Sequence, residues 1–194
     1  MIVLVRHGQT AANASRLLLG RADPPLTELG LRQARAAAGV VDRAALIVSS
    51  PLGRARQTAE VIAGEGPVVV DDRWIELDYG EYDGRPLDQV PTEIWDRWRT
   101  DASYCPPGGE SLATLGERVR DACTELLDRA GDQDVVVVSH VSPIKAAVAW
   151  AIGSGDEVAW RMFLGVASIT RIRVGGRHPS LVAFNDCHHL DGLT

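Results

Sequence analysis

Four short runs of apolar, mostly β-branched residues constrain the fold of this chain more than any other feature. Runs of this length and composition are typical of strands that are buried on both faces of a sheet. They extend over Ile2 to Val5, Ala45 to Val48, Val68 to Val70 and Val135 to Val138. Segments of helical composition separate them, so the sequence predicts an α/β fold.

The segments between these runs predict helices with recognisable ends. Thr27 suits the N-cap of a helix that continues to Ala38 and ends near Gly39. Further helices are predicted over Leu52 to Ala63 and Ser111 to Arg129. The segment from Leu77 to Gly109 is predicted to be helical and to lie over the sheet. A final pair of strands is predicted over Ser168 to Val174 and Leu181 to Phe184. No linker divides the chain, so residues 1–194 are interpreted as one domain.

Charge and cysteine content narrow the class of protein. The net charge is −6 and no block of consecutive Lys or Arg occurs, which argues against a nucleic-acid partner. The three cysteines lack CxxC spacing, which argues against a zinc site or a disulfide framework. No apolar run approaches membrane-spanning length and no leader pattern is visible, so we expect a cytoplasmic protein without a membrane partner.

Polar side chains follow the predicted strands where ligands usually bind in open α/β sheets, beyond the carboxyl ends. Arg6, His7 and Gly8 follow the first strand, Arg54 lies in the helical turn after the second, and His140 follows the fourth. Guanidinium groups suit the bidentate recognition of phosphate, and a neutral imidazole is a nucleophile near physiological pH. The pattern therefore predicts a phosphate pocket with a reactive histidine, although a lone histidine there is more often structural.

Phosphoryl transfer to a histidine also needs an acid that protonates the leaving oxygen. Glu76 is the best candidate, because the apolar pair Trp74-Ile75 precedes it and Gly80 follows shortly after. Judged by spacing alone, however, a glutamate at this position is more often a solvated loop acid.

The motifs resemble those of a known family, the histidine phosphatase superfamily, which includes the cofactor-dependent phosphoglycerate mutases. They occur in order along nearly the whole chain: VRHGQTAAN, GRADPPLTELGLRQA, SSPLGRARQTAE, IELDYGEYDG, PGGES, VVVVSHVSPIK and FNDCHHL. The resemblance implies a three-layer α/β sandwich with a mostly parallel central sheet flanked by helices, as in phosphoglycerate mutases.

The same resemblance implies roles for individual residues. His7 resembles the histidine that becomes phosphorylated, Glu76 the proton donor, and Arg6, Arg54 and His140 the phosphate-binding partners. Asn13 matches the asparagine that contacts the phosphate, with Gln9 and Thr10 nearby and Gly8 leaving room beside the histidine. Protonated His140 is expected to add to the positive field, and the chemistry requires neither a metal nor a cofactor.

The implied activity is the hydrolysis of a small-molecule phosphate ester through a phosphohistidine, with a bell-shaped pH profile and a mildly acidic optimum, as in acid phosphatases. The C-terminal motif FNDCHHL and the motif VSHVSPIK resemble those of the smaller bacterial phosphatases, including the ones that act on α-ribazole phosphate.

A phosphoglycerate mutase is the first alternative function, because it uses the same catalytic centre. It is less favoured because the segment from Leu77 to Gly109 is short and carries only Arg85, Arg97 and Arg99. A catalytically silent phosphate-ester binding module is the second alternative.

The sequence leaves the roles of two groups of residues open. Trp95, Trp98 and Tyr104 either form an apolar wall above the phosphate site or pack a helix onto the core, and helical spacing favours the core. His188 and His189 are expected to face solvent or to shape the rim rather than bind a metal. A homodimer is common among such enzymes by resemblance, and no residue of this sequence demonstrates it.

Overall fold

The computed structural model describes residues 1–41, 44–130 and 134–193 of the chain. Six strands form one sheet: β1 (Ile2–Arg6), β2 (Leu46–Ser49), β3 (Val69–Val70), β4 (Val135–Ser139), β5 (Ile169–Arg173) and β6 (Ser180–Asp186). The helices are α1 (Ala11–Ala14), α2 (Glu28–Ala38), α3 (Gly53–Ala63), α4 (Thr92–Thr100), α5 (Leu112–Ala130) and α6 (Val141–Ile152). Single 3-10 turns cover residues 72–74, 80–82, 87–89 and 188–190, and a longer one covers 156–161.

The strand order in the sheet is β3-β2-β4-β1-β5-β6. Strands β1 to β4 pair in parallel with one another, whereas β5 runs antiparallel to β1, and β6 antiparallel to β5. The predicted α/β class and the mostly parallel sheet are therefore confirmed. The final pair of strands lies at one side of the sheet, as predicted.

Two apolar layers cover the two faces of the sheet. On one face Val3, Val5, Val136 and Val138 pack with alanines of α2 and α3. On the other face the alternate residues of β1 and β4 pack with α5, α6 and a group of aromatic side chains. Because successive residues of a strand point to opposite faces, β1 and β4 contribute to both layers, which explains why these runs are uniformly apolar.

The strand β3 differs from its prediction. Val69 and Val70 are 39% and 47% exposed, so this run is not buried on both faces. The strand consists of two residues at the edge of the sheet and pairs only with β2 among the described strands. An apolar run predicts a strand here correctly, but its position in the sheet decides its burial.

The segment from Leu77 to Gly109 is helical only in part. It contains two 3-10 turns and the nine-residue helix α4, joined by irregular chain. Trp98 is buried and contacts Trp95, Tyr79 and Tyr82 edge to face. The prediction that tryptophans at helical spacing pack α4 onto the core agrees with this arrangement.

Parallel pairing brings three strand ends to one edge of the sheet. Arg6 at the end of β1 is in register with Ser139 at the end of β4, and Ser49 at the end of β2 is in register with Val138. The loops that follow these strands therefore start within a few ångströms of one another. Among the described helices, none combines the length and apolarity that crossing a lipid bilayer requires.

Candidate active site

His7 follows the end of β1 and is held with a defined ring orientation. The residue is 2% exposed, and its Nδ1 lies 2.7 Å from the carbonyl oxygen of Gly8. A carbonyl oxygen can only accept, so Nδ1 carries the proton and Nε2 presents its lone pair. Arg54 donates its Nε proton to that Nε2 over 3.3 Å.

The surroundings of His7 favour the neutral imidazole. Burial lowers its pKa well below the ordinary histidine value, and the positive charges of Arg6 and Arg54 lower it further. The hydrogen bond to Gly8 opposes these effects only in part. His7 therefore has an unprotonated Nε2 at neutral pH, which is the state that a nucleophilic histidine requires.

Arg6 is half-buried and has an unsatisfied donor. Its Nη1 donates to the carbonyl oxygen of Leu164 over 2.7 Å, and its buried Nε has no partner among the described residues. Burial lowers the pKa of Arg6 to about 10, although Glu76 opposes the shift. Arg6 thus remains a cation at neutral pH, and its guanidinium group lies against the cleft where an anion can bind.

Arg54 lies behind His7 rather than in the cleft wall. The side chain is fully buried, and it donates to the carbonyl oxygens of Gly20 and Ala22 over 2.8 and 2.6 Å. Asp23 also pairs with it over 3.4 Å. The prediction that Arg54 stands close to His7 agrees with the structure, whereas the use of most of its donors within the protein was not predicted.

His140 is also fully buried and lies next to His7. The two ring centroids are 5.1 Å apart, and His140 Nε2 lies 2.7 Å from the hydroxyl oxygen of Ser50. Burial, followed by the charge of Arg54 and the proximity of His7, holds the pKa of His140 well below its usual range. The expectation of a protonated His140 therefore does not hold for the structure described here, because its neighbours disfavour a further positive charge.

Glu76 is not a solvated loop acid, since only 3% of it is exposed. Its carboxylate accepts backbone N–H hydrogen bonds from Leu77 over 2.7 Å, from Val141 over 3.0 Å and from Ser142 over 3.2 Å. Two of these donors are the first backbone N–H groups of α6, where the helix dipole favours a negative charge. The carboxylate is thereby fixed at the cleft beside Arg6 and His7.

The four residues that were predicted to bind the substrate, Gly8, Gln9, Thr10 and Asn13, have different positions. Gly8 packs against the backbone of Gly30, so its missing side chain admits helix α2 rather than leaving room for a ligand. The backbone N–H of Gln9 donates to Gln33. Thr10 caps α1 in a reciprocal arrangement with Asn13. Of these four, only Asn13 lines the cleft.

The cleft has a volume of about 290 Å³ and mostly apolar walls. Its lining comprises Arg6, His7, Asn13, Leu17, Leu18, Leu19, Glu76, Tyr79, Leu87, Val141, Lys145, Phe163 and Leu164. Trp95, Trp98 and Tyr104 are not among these residues, so the apolar wall is formed by other side chains. Lys145 and Phe163 were not predicted to line the cleft, although Lys145 follows Val141 by four residues and so shares its helix face.

The two C-terminal histidines lie outside the cleft lining. His189 Nε2 lies 3.0 Å from the carbonyl oxygen of Ala167, whereas His188 is exposed and lies 3.0 Å from Asp191. Within the described ranges, no group of three or more His, Cys, Asp or Glu side chains is arranged to hold a metal ion.

Comparisons with known proteins show which proteins this chain is similar to. The chain is 40% identical over 177 residues to a bifunctional protein of Mycobacterium tuberculosis, and this match covers 87% of the chain but only 49% of that relative. The chain thus spans about half the length of the relative. It is 34% identical over 181 residues to a probable phosphoglycerate mutase of Yersinia pestis, covering 88% of this chain and 83% of the relative.

Solved structures give the same result. A phosphoserine phosphatase of Entamoeba histolytica superimposes with a TM-score of 0.90 and 27% identity, covering 97% of this chain and 98% of that chain. An α-ribazole phosphatase of Shigella flexneri superimposes with a TM-score of 0.84 and 26% identity, covering 95% and 96%. The profile of the histidine phosphatase superfamily (branch 1) matches residues 2–187. The buried histidine pair, the arginines beside it and this match over nearly the whole chain lead to one conclusion: the chain belongs to the histidine phosphatase superfamily, branch 1.

Proposed function

We propose that this protein is a metal-independent phosphomonoesterase that hydrolyses small-molecule phosphate esters through a phosphohistidine on His7. The observation that carries the proposal is the state of His7. Its Nδ1–H is bound to Gly8, its Nε2 is unprotonated, and burial beside two arginines lowers its pKa. A nitrogen nucleophile at the floor of a cationic cleft suits attack on a phosphate dianion.

In the first step, His7 Nε2 attacks phosphorus and the bond between phosphorus and the ester oxygen breaks. Glu76 gives a proton to the departing oxygen, so the alcohol leaves neutral. Arg6 and Asn13 hold the phosphoryl oxygens from the cleft side. Arg54 stabilises the growing negative charge from behind once its Nε donor turns from His7 to the phosphoryl group.

In the second step, a water molecule attacks the phosphohistidine and Glu76 accepts its proton. The nitrogen–phosphorus bond breaks, inorganic phosphate leaves, and His7 regains its free Nε2. His140 keeps Ser50 and the neighbouring strand ends in place through its buried hydrogen bond. The contact of His7 with the ring of His140 limits the rotation of the nucleophile.

Hydrolysis is favoured over mutase chemistry by the positions of the arginines between Leu77 and Gly109. Arg85 donates to the carbonyl oxygen of Glu81, Arg97 stacks on Tyr104, and Arg99 pairs with Asp96. None of the three arginines lines the cleft. A mutase must retain a bisphosphorylated intermediate, and these arginines are not placed to hold its second phosphate.

The names of similar proteins limit the class of substrate that we propose. One structural neighbour is a phosphoserine phosphatase and another is an α-ribazole phosphatase. The two names give different leaving groups, serine and α-ribazole. We therefore propose small-molecule phosphomonoesters as the substrates, without choosing one metabolite.

The test measures phosphate release and the covalent intermediate together. Wild-type protein is expected to release phosphate from p-nitrophenyl phosphate, and rapid quenching at alkaline pH is expected to trap a phosphohistidine in the peptide that contains His7. His7→Ala should abolish both signals. His178→Ala, which changes an exposed histidine, is the matched control and should retain both. Undiminished turnover in His7→Ala would refute the proposed nucleophile.

The two alternatives are distinguished by the products. Incubation with 3-phosphoglycerate and a bisphosphoglycerate primer yields 2-phosphoglycerate faster than free phosphate if the protein is a mutase. A silent binding module binds vanadate or phosphate esters without releasing phosphate from any ester tested. Our proposal requires free phosphate as the main product.

A further inference from the structure

Lys145 is the only lysine in a chain that carries nineteen arginines, and it lies in the cleft. It occupies the second turn of α6, four residues after Val141, so both side chains face the same side of the helix. Helical side chains point back towards the N-terminus, and the N-terminus of α6 holds Glu76. The ammonium group is thereby directed towards the site that holds the nucleophile.

The ammonium group of Lys145 has no hydrogen bond or ion pair with any residue of the described ranges. The side chain is half-buried, and burial lowers its pKa, an effect that Glu76 opposes and Arg6 reinforces. Holding a cation in a partly desolvated cleft without a direct ion pair costs free energy, which a bound anion returns. An unpaired lysine at this depth therefore indicates an anionic ligand group.

The charges around the cleft limit the kind of anion that Lys145 can bind. Arg6 and Arg54 together match the two negative charges of a phosphomonoester. Glu76 is the only carboxylate among the lining residues, and it must carry a proton to act as the acid in the proposed first step. Lys145 then lacks a negative partner in the enzyme–substrate complex until Glu76 gives up its proton.

From this charge arrangement we propose that Lys145 is a specificity-determining residue that binds a carboxylate on the leaving group. The proposal rests on the proposed phosphomonoesterase activity and narrows its substrate class. The preferred substrates are phosphomonoesters of hydroxy acids, with the carboxylate a few bonds from the ester oxygen. The apolar walls from Leu17 to Leu19, Leu87 and Phe163 contact the rest of the leaving group.

Two matched substrates test this preference. 3-Phosphoglycerate and glycerol 3-phosphate differ only by a carboxylate in place of a hydroxymethyl group. We measure the ratio of their kcat/KM values in wild type, Lys145→Met and Lys145→Arg. The difference in intrinsic reactivity between the two substrates cancels when the kcat/KM ratio of one variant is compared with that of another. A charge-assisted hydrogen bond predicts a ratio about tenfold lower in Lys145→Met than in wild type.

Lys145→Arg keeps the charge and should retain most of the preference. If Lys145→Met lowers kcat/KM equally for both substrates, the lysine contacts the phosphate or acts only through Glu76, and the proposal is wrong. An unchanged ratio with unchanged rates also overturns it. Thermal unfolding of the variants shows whether a loss of activity reflects loss of the fold.

Chemical labelling tests the same contact without turnover. Because the chain has a single lysine, reductive methylation modifies only Lys145 and the terminal amine, and peptide mapping separates the two. The experiment uses His7→Ala, in which hydrolysis is blocked. 3-Phosphoglycerate should slow methylation of Lys145 several-fold more than glycerol 3-phosphate does at equal occupancy. Equal protection by both ligands contradicts carboxylate binding, whatever the fate of the phosphohistidine proposal.

Discussion

Replacing Thr58 by valine tests how the protein holds its nucleophile. Thr58 lies on α3 and is fully buried. Its hydroxyl oxygen accepts a hydrogen bond from the backbone N–H of Gly8 over 3.1 Å and donates to the carbonyl oxygen of Arg54 over 2.9 Å. One hydroxyl group therefore connects the loop that carries His7 to the helix that carries Arg54.

The size of the effect follows from these two bonds. Valine has almost the same shape as threonine but leaves the buried N–H of Gly8 without its partner. An unsatisfied buried donor costs about 1–3 kcal/mol in the free energy of unfolding. For a chain of this length we expect the midpoint of thermal unfolding to fall by about 4–8 °C, taking about 2 kcal/mol. A less well-positioned His7 should also lower kcat, by about tenfold.

Thr58→Ser is the matched control, because it keeps the hydroxyl group and removes only a methyl. Its loss of stability should be about 1 kcal/mol, from the cavity, and its kcat should stay close to wild type. Calorimetry and phosphate release from p-nitrophenyl phosphate measure the two effects. If Thr58→Val is as stable and as active as wild type, the hydroxyl bridge does not position His7 and the reasoning fails.

Three further predictions concern the same region. Arg54→Lys cannot reproduce the fork that reaches Gly20 and His7, so kcat/KM with p-nitrophenyl phosphate should fall at least about tenfold. Gly30→Ala drives a methyl group into the backbone of the nucleophile loop, and the midpoint of thermal unfolding should fall. Because the pKa values of His7 and His140 are lowered by folding, the unfolded chain binds more protons below about pH 6.5. The free energy of unfolding, measured with urea, should therefore fall by about 1.4 kcal/mol per pH unit for each histidine as the pH decreases from that value. His140→Gln should remove one of the two contributions. Equal pH slopes in the variant and in wild type would contradict this.

Several parts of the fold could be predicted from local patterns. The helix from Glu28 to Ala38 begins and ends at the residues that its sequence indicates, because Thr27 caps it and Gly39 follows it. The strands β1 and β4 are apolar on both faces because each packs against two layers. Helix α6 was not predicted, since its Ala-rich sequence has only Ser142 and Lys145 as polar residues and so lacks the polar face that marks a surface helix.

The position of the candidate site was also predictable, because parallel strands bring their carboxyl ends to one edge. Its internal arrangement was not. Glu76 reads as a loop acid until α6 places two backbone N–H groups on its carboxylate from 65 positions further along the chain. Lys145 likewise gains significance only from the cleft that surrounds it.

The sequence by itself determined the α/β class, the strand ends that carry His7 and His140, the helical turn that carries Arg54 and, through the order of its motifs, the family to which the chain belongs. These properties follow from the periodicity and order of residues that are close in the chain. The tertiary structure alone decided that the pKa of His140 is lowered and that Lys145 forms no ion pair with another described residue. Protonation and pairing depend on burial and on distances between remote segments, and local sequence does not encode either quantity.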